Sequence, residues 1–227
     1  EPGSTMKPFV VAAALQAGAV KPDTRFHCRN GNANVGTLMR ELVPQMKPIK
    51  RRLSDGDEGH GYGLLPVWDI VVYSSNIGMA QIGLVLGSER TQRALRLYGF
   101  GSKTGIELSG ESAGLLPPIE NWTAYTLTSV PMGHEVATTA MQLAVAYGAL
   151  AHPNGVMHGA RIVDRLVDPR GRVAWQSQPR MLSKPMSAKT RTVMAKIMTD
   201  VVKRGTAKKA HLDEFLVVEA DMRKRDA

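Results

Sequence analysis

Only one cysteine, Cys28, stands in the 227 residues, so no disulfide can form within the chain. Phe, Trp and Tyr together make up 5% of it. None is interleaved with the basic clusters Lys47-Pro48-Ile49-Lys50-Arg51-Arg52 and Arg223-Lys224-Arg225, which argues against a stacking platform for nucleic-acid bases. No apolar run is long enough to span a bilayer, and no signal peptide opens the sequence. Zinc-type spacing is absent, and His27, His60, His134, His152, His158 and His211 contain no i, i+4 pair. Neither a metal nor a cofactor is therefore expected. No serine sits in a G-x-S-x-G elbow, which argues against a Ser-His-Asp triad. The glycine-rich loop Gly59-His60-Gly61-Tyr62-Gly63 lacks the lysine and Ser/Thr of a phosphate cradle. Internal repeats and low-complexity tracts are also missing.

Hydrophobic residues supply 43% of the chain, enough for a substantial core in one domain, possibly of two lobes. The formal net charge of +9 reads best as solvated loop charge, and it would also suit a face near anionic lipid or cell-wall polymer. Periodicity predicts a largely apolar helix over 4–19, a short strand at 25–28, and mostly loop and weak helix over 36–63. A helical lobe follows over 66–98, then an ordered loop over 99–118 and a second apolar helix over 136–151, ended by Pro153-Asn154-Gly155. Residues 162–167 and 172–175 alternate around Asp168-Pro169-Arg170-Gly171, a hairpin signal. The last long helix is expected over 187–203, with Ser187 as its N-cap and Gly205 beyond its end.

Two short motifs carry chemistry. In Glu1-Pro2-Gly3-Ser4-Thr5-Met6-Lys7-Pro8-Phe9, Ser4 and Lys7 are three residues apart, on one face of a helix and within hydrogen-bond reach. A serine hydroxyl becomes a nucleophile when a base removes its proton, and a lysine whose pKa is lowered by burial or charge can be that base. Alone the pattern is weak, because serine is a preferred N-cap. The second motif is Tyr73-Ser74-Ser75-Asn76-Ile77-Gly78, placed at the break between a helix over 66–73 and another over 77–86. Such a turn can aim a hydroxyl and an amide into a cleft, or simply cap the second helix.

Together the motifs resemble the serine acyl-transferases of the penicillin-binding and β-lactamase superfamily, whose signature is S-x-x-K, S-x-N and K-T-G. The likeness is closest to the transpeptidase domain of class B, monofunctional penicillin-binding proteins. Gly99-Phe100-Gly101-Ser102-Lys103-Thr104-Gly105-Ile106-Glu107-Leu108-Ser109-Gly110-Glu111 looks like that family's T-G-I-D-L-P-G-E segment. Gly133-His134-Glu135-Val136-Ala137-Thr138-Thr139 looks like its G-Q-G-x-x-x-T-P segment. Val201-Val202 and Gly205-Thr206 look like the approach to its third motif, so the resemblance runs over about residues 1–215. The Lys103-Thr104-Gly105 tripeptide lies in the wrong segment to be that motif. Where K-T-G is expected the chain reads Phe215-Leu216-Val217-Val218-Glu219-Ala220-Asp221-Met222.

The resemblance implies an α+β fold, a helical lobe beside an incomplete antiparallel sheet, within residues 1–227 as a fragment of such a domain. It implies Ser4 as nucleophile, Lys7 as base, Ser74 as proton relay and Asn76 as a substrate-orienting amide, with Ser75 and His60 bordering the substrate. The substrates would be peptidoglycan stem peptides ending in D-Ala-D-Ala, with β-lactams acylating the same serine and no nucleic acid bound. A parent protein would be membrane-anchored, act on the extracytoplasmic face and meet cell-wall synthesis or division proteins. A β-lactam sensor or β-lactamase of the same fold is the alternative, although no Glu can be assigned to deacylation. Without K-T-G the cleft is expected to lack one wall, Lys7 to lose its tuning surroundings, and the helix from Phe9 onward to lose cover. An impaired or inert fragment is the consequence.

Overall fold

The computed structural model describes residues 1–56 and 62–210. His60 and the stretch 215–222 lie outside the described residues. The helix expected over 4–19 divides into a 3-10 turn, Gly3–Met6, and helix α1, Lys7–Gln16. Pro8 occupies the first helical turn, where its missing N–H breaks no helical bond. Residues 9–14 have no polar face, and all of them are buried.

Strands β1 (Arg25–His27) and β2 (Asn32–Asn34), helix α2 (Val35–Leu42) and strand β3 (Arg52–Ser54) come next. The expectation of loop and weak helix over 36–63 fits α2 but misses β3, and β2, just before that stretch, falls outside every expected element. Asn34 caps α2 by accepting from the Gly36 N–H, and Leu38 and Met39 turn into the core. The strands β2 and β3 pair antiparallel, with Asn34 opposite Arg52. Each strand alternates over only three residues, Asn-Ala-Asn and Arg-Leu-Ser, too short a stretch for a sequence reading to separate from loop.

Beyond them lie β4 (Leu64–Pro66), α3 (Val67–Val72), α4 (Asn76–Leu86) and α5 (Ser88–Leu97), the helical lobe. Helix α6 (Ala124–Ser129) precedes α7 (Ala140–Ala151). The latter starts four residues later than expected, because Ala137 is taken by a bridge to Leu115 and Thr139 forms a capping box with Gln142. Strands β5 (Met157–His158), β6 (Arg165–Val167), β7 (Val173–Gln176) and β8 (Met181–Ser183) lead to α8, Ala188–Arg204, capped by Ser187 as expected. Among the described residues the strands form four antiparallel pairs, β1–β4, β2–β3, β5–β8 and β6–β7. The fold is α+β, and among those residues no helix is long and apolar enough to cross a membrane.

Helix α1 is the hub, in contact with α3, α4, α5 and α8. This corrects the expected loss of cover: only its last turn, around residues 15–18, opens to solvent. Phe9 anchors the packing, its ring 4.9 Å from Tyr98, 5.2 Å from Phe100 and 4.8 Å from Tyr147. Phe9→Ala should therefore cost about 3–5 kcal/mol of stability, read as a lowered urea midpoint at unchanged slope.

Candidate active site

The turn that carries Ser4 is held from three sides. Gly3, at φ 57°, donates its N–H to the Gly133 carbonyl over 3.2 Å. Gly133 is itself at φ 82°, and a Cβ there would lie 2.0 Å from the Gly3 carbonyl oxygen, so only glycine fits the approach. The Glu1 carboxylate accepts from the Glu135 N–H at 3.1 Å and meets His134 Nδ1 at 3.2 Å. The hydrogen bonds from His134 and then Glu135 hold its carboxyl below the ordinary range. Tyr147 donates its hydroxyl to the Thr5 carbonyl at 2.9 Å. Ser4 is not an N-cap: Pro2 occupies that place, and no side-chain cap bond forms. Its hydroxyl is left exposed for other work.

The second motif sits where α3 stops and α4 starts. Ser74 adopts φ 58°, a left-handed conformation that costs a non-glycine residue about 1–3 kcal/mol unless its surroundings enforce it. That twist points the Ser74 hydroxyl at Ser4, to which it donates at 3.1 Å. Asn76 opens α4, donating from Nδ2 to the Ser54 carbonyl at 3.0 Å. Ser75 does not border the substrate as expected. It is fully buried, caps α4 by accepting from the Gly78 N–H, and donates to the Asp55 carboxylate. Its polar side chain faces inward because the cap geometry turns it there.

Lys7 joins the two motifs. Its Nζ donates to the Ser74 carbonyl at 2.5 Å, to Ser74 Oγ at 2.8 Å and to Asn76 Oδ1 at 2.9 Å. No hydrogen bond runs directly to Ser4; the path is Lys7, Ser74, Ser4. Lys7 is 2% exposed, and burial pushes its pKa down to about 8 while the Asp55 carboxylate pulls it upward. The expectation that Lys7 loses its tuning surroundings is thus corrected, since the core and the turn supply them.

A cleft of about 200 Å³ opens over these groups, walled by Tyr147 of α7, Met198 and Val201 of α8, and Thr206. The chain after α8 is fixed there by the Thr206 N–H, which donates to the Val72 carbonyl at 3.2 Å. Lys103-Thr104-Gly105 contributes nothing to this cleft. Thr104 and Gly105 donate to the Glu111 carboxylate, and Arg180 donates to the Thr104 carbonyl, so the tripeptide staples its own loop. Arg51, from the basic cluster, is likewise spent on structure: it donates to Tyr125 O, Thr128 Oγ1 and Ser129 Oγ and lies over the Tyr125 ring. Among the described residues no group of three His, Cys, Asp or Glu could hold a metal ion. Sequence reasoning missed Asp55 and Tyr147, since neither stands in a motif. The tyrosine in α7, a helix with Gln142 as its one other polar side chain, was the available signal.

The profile of the penicillin binding protein transpeptidase domain matches residues 1–218. Penicillin-binding protein PbpB of Mycolicibacterium smegmatis is 29% identical over 206 residues, which is 90% of this chain and 29% of that protein. The apo transpeptidase domain of Burkholderia pseudomallei penicillin-binding protein 3 superposes with a TM-score of 0.77 at 26% identity, over 94% of this chain and 57% of its own. Penicillin-binding protein 3 of Mycobacterium tuberculosis, complexed with ampicillin, gives 0.73 at 29% identity, over 91% and 42% respectively. The chain thus spans under a third of that curated relative and about half of the solved chains.

The burial of Lys7 predicts a stability signature. Its folded pKa near 8 lies below the ordinary 10.5, so between those values the unfolded chain holds a proton that the folded chain has released. Stability should rise with pH across that window, by about 3 kcal/mol in total for a depression of this size. Urea midpoints of the parent chain and of Lys7→Met from pH 7 to 9.5 check it: the parent should gain on the variant as pH rises, the variant lacking this component.

Proposed function

The chain belongs to the penicillin-binding protein transpeptidase family, and on that footing we propose that it is a serine D,D-transpeptidase acting through an acyl-serine. The observation that supports this most is the continuous hydrogen-bond path from a buried, easily neutralised Lys7 through Ser74 to Ser4. With Lys7 neutral the path reverses. Ser4 Oγ attacks the carbonyl between the two terminal D-alanines of a stem peptide, its proton passes to Ser74 Oγ, and the Ser74 proton passes to Lys7. The C–N bond then breaks, the departing D-alanine amine takes the proton back along the same path, and an ester to Ser4 remains. An amine of a neighbouring stem peptide attacks that ester, gives up a proton by the same route, forms the new peptide bond and frees Ser4. The second N–H of Asn76 Nδ2, beyond the one given to Ser54, is the donor for a substrate carbonyl. A β-lactam enters by the same attack, but its leaving nitrogen stays tethered and the adduct persists. The ampicillin complex of the mycobacterial relative supports this part of the reading.

The 227-residue chain is a weak form of that enzyme in our reading. Residues 211–227 hold no Lys-Thr-Gly, and in the family that strand supplies an oxyanion donor and aligns the substrate carboxylate. Loss of a single such donor costs about 10²–10³ in rate. Anchorage in a membrane, action on its outer face and partners in cell-wall synthesis or division belong to the same proposal for a parent protein.

Labelled penicillin tests it. We expect slow labelling of Ser4, accelerating as pH rises through about 8, abolished in Ser4→Ala, with no measurable transpeptidation. Rapid stoichiometric labelling would show the impairment to be wrong, and rapid turnover of penicillin would favour a β-lactamase. Absence of any Ser4 adduct up to pH 9 would sink the acyl-serine mechanism.

A further inference from the structure

Strand β3 ends beside the second motif, and the residue after it, Asp55, belongs to neither motif. It is buried, and both carboxylate oxygens accept from the Ser75 hydroxyl, at 3.1 and 3.0 Å. Oδ1 also accepts from the Ile77 N–H at 3.0 Å. One residue earlier, the Ser54 carbonyl accepts from Asn76 Nδ2. Two consecutive residues at a strand end therefore hold three consecutive residues at the helix start. We propose that Asp55 is a positioning residue for acyl transfer, pinning the turn from within so that the Ser74 hydroxyl stays between Lys7 and Ser4. This deepens the acyl-serine reading above and rests on it.

The strain at Ser74 gives the pin something to do. A left-handed serine relaxes unless the residues after it are immobile, and here Ser75, Asn76 and Ile77 are each bonded to β3 or Asp55. A buried carboxylate is tolerated only when fully hydrogen-bonded, and these donors satisfy it. A plain cap anchor would act on geometry alone. Asp55 also reaches Lys7 electrostatically, and among the described residues its carboxylate is the charged group acting on that ammonium. Among the described residues the walls of the cleft bring no other charge: α3 offers Val71, α8 offers Met198 and Val201, and α7 offers Tyr147, whose phenol burial pushes up to about 12. Ser74 and Asn76 are neutral. Asp55 thus sets both where the relay stands and how tightly Lys7 holds its proton.

Two substitutions separate these effects in the full 227-residue chain. Asp55→Asn keeps an acceptor for Ile77 and Ser75 but removes the charge; Ser75→Ala keeps the charge but cuts the pin. With Asp55→Asn the pH midpoint of penicillin acylation should move to lower pH. With Ser75→Ala the midpoint should stay, while the limiting rate falls by about 10²-fold, the loss expected for a misplacement near 1 Å. Asp55→Glu should restore the parent midpoint at a reduced limiting rate. The titration of Lys7, followed by NMR on ε-carbon-labelled lysine, reads the same midpoint without any catalysis. If Ser4 takes no label, the acyl-serine reading fails, and the NMR titration still decides the coupling of Asp55 to Lys7. A midpoint that is equal in parent and Asp55→Asn overturns the proposal, as does a Ser75→Ala chain that acylates at the parent rate.

Discussion

The Lys7 ammonium, withdrawn from water and returned to three oxygens of a single turn, is the constraint on which the rest of the structure depends. Burying a charge without partners costs several kcal/mol, so the fold must deliver those oxygens to within hydrogen-bond distance. It does so by setting α1 in the middle of the helical lobe, with Phe9 clamped by three aromatic rings. The same helix lies against α3 and α4, whose junction is the turn that receives Lys7. Core packing and proton chemistry are therefore one problem here: the apolar shell that stabilises α1 is also what lowers the affinity of Lys7 for its proton.

Around that charge the backbone carries strain in defined places. Ser74 and Glu135 both adopt left-handed conformations, near φ 60°, and both lie next to groups that the site needs. The N–H of Glu135 is held by Glu1, three residues before Ser4, and Gly133 approaches Gly3 so closely that no side chain fits. The Ser4 turn is thus docked on the 133–135 loop, and the Ser74 turn on β3 and Asp55. The hydroxyls of Ser4 and Ser74 each stand on a segment braced by a different part of the chain, which is how the two can meet without a rigid element running beneath both.

Much of this was legible before any coordinates. The long helices, the break at 74–76, the hairpin around 168–171 and the Ser187 cap follow from local period and capping chemistry, which depend on neighbours within a few residues. The pairing of Ser4, Lys7, Ser74 and Asn76 into one candidate site came from two motifs and their likeness to a family. The reading went astray where the decisive partner was distant: α7 starts late because Ala137 pairs with Leu115, and β2 and β3 exist because each has the other. Ser75 is expected at the substrate because it stands between Ser74 and Asn76, whereas its cap and Asp55 turn it inward.

The sequence by itself determined which residues could do chemistry: a serine and a lysine three apart, and a serine and an asparagine two apart at a helix break. It also determined that Lys-Thr-Gly occurs once, in a segment that ends up bonded to Glu111. Only the tertiary structure decided that Lys7 reaches Ser4 through Ser74, that its proton affinity is lowered, and that Asp55 stands behind the turn. Those are properties of burial and of contacts across 20 to 70 residues. A side chain's identity fixes what it can donate or accept, but its pKa and its partner are set by what the rest of the chain places around it.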